Sequence, residues 1–135
     1  MAFEYFVTAQ DQVYERVRAE LRAGRKQSHW MWFIFPQLSG LGHSDMAARF
    51  AIAGVEEARE YAKHQIVGPR LRECVTFTNA HKNRRAHLIF GSPDDLKFRS
   101  CLTLFWLASE APLFREGLDQ FYDGELDPMT VQLIG

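Results

Sequence analysis

The chain has 135 residues, 47% of them hydrophobic and 24% charged, with a formal net charge of -1. That length supports a domain with its own core, and the composition is ordinary for a soluble globular protein. The near-neutral balance excludes a global electrostatic drive toward nucleic acid or anionic membrane. The opening Met1-Ala2-Phe3-Glu4 lacks the basic start and apolar stretch of an export signal. Cys74 and Cys101 lie in helical patterns without a CxxC pairing, and both read as buried free thiols of a cytoplasmic protein.

Phe6, Gln10, Val13, Val17 and Leu21 recur at spacings of three and four, which predicts a first helix that stops at Gly24. Gln10 is the odd member of that stripe, because a buried amide needs hydrogen-bond partners. Tyr14, four residues on, is placed to shield it.

The run His29-Trp30-Met31-Trp32-Phe33-Ile34-Phe35-Pro36-Gln37 follows, with Lys26 just ahead of it. It is too short to cross a membrane, which needs about 20 apolar residues. No partner strand is visible elsewhere, so the run reads as a short buried helix ending near Pro36. A two-glycine loop then leads to Ser44, a good N-cap for a helix from Asp45 to about Ile52.

A further helix is expected from Val55 to Lys63. Gly68-Pro69 opens the next one, with Leu71, Cys74, Val75 and Thr78 facing inward. His81-Lys82-Asn83-Arg84-Arg85 reads as a basic, hydrated connection. Ala86 to Phe90 forms a turn that stops at Gly91. Ser92-Pro93-Asp94-Asp95 carries the signals of a helix start: a serine cap, proline at the first position and two acids in the first turn. That helix should reach about Ser109. Pro112 begins the next, which ends at Gly124, and Asp127-Pro128 caps a last short helix toward Leu133. With no repeat, linker or low-complexity tract, residues 1–135 are expected to form a single compact all-α multihelical domain of about seven to nine short helices.

The pattern resembles the bacterial domain-of-unknown-function family numbered 1810, sometimes mislabelled calpastatin. The residues that carry the likeness are Ala9-Gln10, Tyr14, Glu20-Leu21, Gly24-Arg25-Lys26 and the whole tryptophan run through Gln37. They continue at Gly40-Leu41-Gly42, Ser44, Ala51-Ile52, Glu57 to Tyr61, Gly68 to Leu71, Phe90 to Lys97, Arg99-Ser100 and Thr103 to Phe105. Three departures stand out. Phe50 occupies a place where the family suggests tyrosine. Gln65 stands where proline often follows His64, and Cys101-Leu102 replaces a more usual Ser-Met. The resemblance implies a soluble, mainly helical bacterial protein. It implies no established reaction and no calpastatin-like inhibition, since such inhibitory regions are disordered.

Two clusters carry candidate chemistry. In the first, Lys26 offers a point charge for a phosphate, His29 a proton carrier, and Trp30 and Trp32 flat faces for a base or sugar. The bland alternative is that the aromatics are core and Lys26 is solvated. In the second, Asp94, Asp95 and Lys97 open a helix. Acids at that end favour capping over anion binding, and Asp94–Lys97 and Asp95–Arg99 have ordinary ion-pair spacing. Ser100 and Thr103 share an apolar face, where they bond the preceding turn or line a pocket. Gln10, Gln37 and Arg70 are weaker candidates.

No HExxH, GxxxxGK[ST], GxGxxG or GxSxG occurs, and the histidines lack metal-site spacing. The expectation is therefore no metal and no cofactor. The His81–Arg85 stretch lacks interleaved aromatics, which argues against specific nucleic-acid binding. Two functional readings remain. The first is a protein that binds, or processes, a nucleotide-like or phosphorylated small molecule. Its contacts would be Lys26, Trp30, Trp32, Gln37 and Lys97, with His29, Asp94 and Asp95 as candidate catalytic groups. If a ribosyl bond is cleaved, Asp94 or Asp95 would serve as base and Lys26 as anion anchor. The alternative is a non-catalytic helical interaction module. Its aromatic groove would take another protein or, by self-association, a second copy of the chain.

Overall fold

The computed structural model describes residues 3–134. Nine helices run through them: α1 (Glu4–Ala23), α2 (Met31–Ile34), α3 (Asp45–Arg49), α4 (Val55–Lys63), α5 (Val67–Asn79), α6 (Ala86–Phe90), α7 (Asp94–Ser109), α8 (Pro112–Tyr122) and α9 (Pro128–Ile134). The architecture is all-α. Among the described residues the only β pairing is an isolated parallel bridge between Leu38 and Ile52.

α7 is the centre of the fold. Phe98, Cys101, Leu102, Leu104, Phe105 and Ala108 are buried around much of its circumference, as expected of a helix with neighbours on several sides. It packs against α4, α6, α8 and α9, while α1 lies on α5 and α2. Aromatic rings fill the space between. Phe35, Phe90 and Phe98 meet at centroid distances of 4.8 to 5.8 Å, and Phe6 meets Phe50 and Tyr61 at 5.2 Å. These edge and tilted contacts suit the ring quadrupole.

α1 ends as its sequence signals. Gly24 adopts φ 74°, and its N–H and that of Arg25 bond the carbonyls of Leu21 and Glu20. Gln10 is 1% exposed, and its amide is fully used. It donates to the Phe33 carbonyl at 2.7 Å and to the Tyr61 hydroxyl at 3.2 Å, and accepts from Arg70 at 3.3 Å. Gln10 and Arg70 therefore join α1, α2, α4 and α5. Tyr14 is tied instead to Glu73.

Four expectations need correction. α3 stops at Arg49, short of Ile52. Ser44 caps it from the side chain, but Ile52 is drawn out of the helix to exchange backbone hydrogen bonds with Gln37 and Ser39. α5 begins at Val67, ahead of Gly68-Pro69. His64 Nδ1 accepts from the Ile66 and Val67 amides there. Pro69 is the third helical residue, where its missing N–H has no intrahelical partner to lose. Ser92 does not cap α7. Pro93 is the flanking residue, and the first free amides are taken by the Gly91 and Pro93 carbonyls and by Asp95 Oδ1.

Finally, the stretch from His81 to Arg85 is not merely hydrated. His81 Nε2–H donates to the Leu21 carbonyl at 2.6 Å, and Arg84 Nε donates to the Gly24 carbonyl at 2.7 Å. Both bonds satisfy free carbonyls at the end of α1, and the Arg84 guanidinium also suits the negative end of its dipole.

Ser100 and Thr103 serve packing. Each hydroxyl donates to the turn before it. The single Ser100 proton is shared with Asp127 Oδ2, the closer acceptor at 2.8 Å, and the Asp127 amide donates to Thr103 Oγ1. Asp127 Oδ2 in turn accepts from Thr130, capping α9. Cys74 and Cys101 are free and buried. Burial pushes the Cys74 thiol up to about 12 and raises that of Cys101 as well. No helix among the described residues is long and apolar enough to cross a membrane.

Candidate functional site

The segment between α1 and α2 is shaped by one side chain that the sequence clusters did not include. Glu20 Oε1 accepts from the Gln27 amide at 2.8 Å, the Ser28 amide at 3.1 Å and Trp30 Nε1 at 2.9 Å. Its Oε2 accepts from Ser28 Oγ at 2.7 Å. Burial alone would raise its carboxyl pKa, but the hydrogen bonds outweigh burial and hold it below the ordinary carboxylate value. An acid near a helix C-terminus is unfavourable against the dipole. That misplacement, beside the place of Glu20 in the family likeness, is a sequence signal that could have found it. Trp30, bonded to Glu20 and 1% exposed, is core.

Glu20 and a backbone bond from the Lys26 amide to the Ile89 carbonyl at 2.7 Å fix the chain on both sides of Lys26. Its ammonium then lies 5.2 Å from the Trp30 ring centroid and 2.9 Å from Asp94 Oδ2. Side-chain exposures are 8% for Lys26 and 19% for Asp94, so this pair is largely shielded from solvent. Lys97, one turn along α7, approaches Asp94 Oδ1 at 3.4 Å and sits 5.6 Å from the Trp32 ring centroid. Trp32 is half-buried. Trp32 also lines a small cleft of about 80 Å³ with Gln37, Ser39 and Phe50.

The structure thus joins Lys26, Trp30, Trp32, Asp94 and Lys97 in one chain of contacts, with Gln37 next to Trp32. His29 stays apart. It is exposed and makes no side-chain hydrogen bond among the described residues. Asp95 has different partners from Asp94: His87 Nδ1 at 3.5 Å and the Leu96 amide at 2.9 Å. One step along a helix turns a side chain by about 100°, so neighbouring acids face different surroundings. Phe50, where a tyrosine was suggested, is buried between the Tyr5 ring at 5.7 Å and the Arg49 guanidinium at 5.5 Å. Phe35 and Trp30 are both 1% exposed, so neither is available as a surface anchor. Among the described residues, no group of three or more His, Cys, Asp or Glu is placed to hold a metal ion.

Chemically, the cluster offers two ammonium groups flanking one carboxylate beside a partly open indole. Such a set complements a ligand that carries both an anionic group and a flat ring.

The model of the family described as "Protein of unknown function (DUF1810)" matches residues 1–134. The crystal structure of a conserved hypothetical protein from Mycobacterium tuberculosis is similar to this chain, at 49% identity and a TM-score of 0.96. That likeness covers 98% of this chain and 95% of the other. No curated protein matches.

Proposed function

The chain belongs to the DUF1810 family of proteins of unknown function, and we propose that it binds a nucleotide-like or phosphorylated small molecule at the Lys26–Asp94–Lys97–Trp32 cluster. One observation carries the reading. Two lysines from separate segments converge on the same carboxylate, at 2.9 and 3.4 Å, and one of them lies over an indole that is still partly open. An anionic group of the ligand would compete with Asp94 for the ammonium of Lys97, the more exposed of the two at 27%. The Trp32 face would take its ring, and Gln37 would mark the edge of the site. Trp30 then acts as the wall that keeps Lys26 in place.

The interaction-module alternative has fewer anchors, because Trp30 and Phe35 are inside the core.

A thermal-shift panel of nucleotides, dinucleotides, ADP-ribose and sugar phosphates tests the proposal, with Lys97→Ala and Trp32→Ala as controls. A ligand that binds only the folded state at about 100 times its Kd adds about 2.7 kcal/mol of stability. The expected result is a rise in Tm with at least one compound that both variants lose. A flat response across the panel, or a panel in which every rise is kept by both variants, contradicts it.

A further inference from the structure

α6 is bordered by two open clefts of about 450 and 570 Å³ that share Arg84 and His87. Five lysine and arginine side chains line them: Arg25, Lys26, Lys82, Arg84 and Arg85. Asp95 is the one carboxylate in either lining. In a chain of net charge -1, this is a marked local excess of positive charge.

Three of these cations have a structural task, Lys82 by donating to Gln120. Arg84 bonds the end of α1, and Lys26 pairs with Asp94. Arg25 and Arg85 have none: both are exposed and form no side-chain hydrogen bond or ion pair among the described residues. Their backbone is nonetheless held. His81 and Arg84 clamp the 81–85 loop to α1, and Gln120 bridges the His81 carbonyl and the Lys82 ammonium at 3.1 Å each. Arg25 and Arg85 thus present free guanidinium groups from backbone that is already ordered, so an anion that binds them loses little affinity to chain ordering. The larger cleft also contains Phe121 and Tyr122, both half-buried.

We propose that this groove is a second anion site, which adjoins the Trp32 cluster at Lys26 but does not include Trp32 or Lys97, and which takes a nucleoside polyphosphate. Its phosphates lie between Arg25, Arg84 and Arg85, and its base lies toward Phe121 and Tyr122. Each cleft has the size of a small-ligand pocket. The net negative charge of the whole chain disfavours a long polyanion that extends past the groove.

Equilibrium dialysis of the intact protein against radiolabelled ATP tests this at low salt, about 50 mM, where charge contacts are least screened. Unlabelled tripolyphosphate and a single-stranded oligonucleotide serve as competitors. Arg25→Ala with Arg85→Ala should weaken ATP binding at least tenfold, with Tm unchanged because neither side chain has an internal partner. Lys97→Ala should leave binding within about twofold, the scatter expected for a site that does not touch it. Tripolyphosphate should compete more weakly than ATP, since it lacks the base. Absence of binding overturns the proposal, as does retention in the double variant. Loss in Lys97→Ala alone would also overturn it and assign ATP to the Trp32 cluster. An oligonucleotide that competes better than ATP would make the groove a nucleic-acid surface instead.

Discussion

Replacing Glu20 tests how the candidate cluster is held together. In Glu20→Gln the side-chain oxygen can keep the place of Oε1, with its three donors at 2.8 to 3.1 Å. What is lost is the charge. Charge-assisted hydrogen bonds are roughly twice as strong as neutral ones, and the half-exposed position reduces the gain. The expected cost is therefore about 1 to 1.5 kcal/mol at pH 7. Glu20→Ala removes all four bonds and leaves Trp30 Nε1 buried without an acceptor, which should cost about 3 kcal/mol. For this chain length 1 kcal/mol corresponds to about 3–4 °C in Tm. Circular-dichroism melts should then show losses of about 4–5 °C for Gln and about 10 °C for Ala.

The pH dependence has a definite sign. Because the folded carboxyl lies below its ordinary value of 4.5, its contribution is present above that pH. It is lost as the pH falls through the folded value. The gap between wild type and Glu20→Gln should therefore be widest at neutral pH and close only under acid. Equal melts at pH 7, or a gap that does not change down to acid unfolding, would refute the reasoning.

Three further outcomes are expected. A double-mutant cycle of Lys26→Met and Asp94→Asn should give a coupling of about 1 to 2 kcal/mol, below the range for a fully buried pair because Lys97 still reaches Asp94; denaturant unfolding measures it. Gly68→Ala places a Cβ 2.4 Å from the Ala62 carbonyl oxygen and should cost at least about 2 kcal/mol through overpacking. Gly54→Ala, with nothing within 4 Å of the added carbon, should cost less than about 1 kcal/mol. Cys74, its thiol raised to about 12 by burial first of all, and Cys101 should both resist a disulfide reagent at pH 8. They should label only as fast as the protein unfolds in denaturant.

The helices were legible where local signals agreed. The stripe of α1 and its glycine stop, and the proline starts of α8 and α9, depend on residues a few positions apart. What was not legible depends on distant backbone. Ile52 leaves α3 because the Gln37 carbonyl and Ser39 amide wait for it. The basic loop at 81–85 looked solvated because its acceptors are carbonyls at the end of another helix, 60 residues away; carbonyls have no sequence signature. The same holds for the candidate site. Lys26, Trp32, Asp94 and Lys97 were visible as residue types, but their convergence depends on the packing of α6 and α7 against the segment before α2. Glu20 entered only among the residues that carry the family likeness, although an acid in the last turn of a helix was a signal that could have singled it out. Asp94 and Asp95 could not be told apart without the rotation of α7.

The ligand-site proposal is tested most directly at the indole N–H groups. The chain has three tryptophans, and in a nitrogen-15 correlation spectrum each gives one resolved indole signal. Trp30 is bonded to Glu20, and Trp106 lies elsewhere, beside Arg115. Titration with a compound whose Tm rise is lost in Lys97→Ala should move the Trp32 indole in a saturable way and leave those of Trp30 and Trp106 nearly still. A Trp32 signal that stays fixed while the ligand binds would contradict the proposed site.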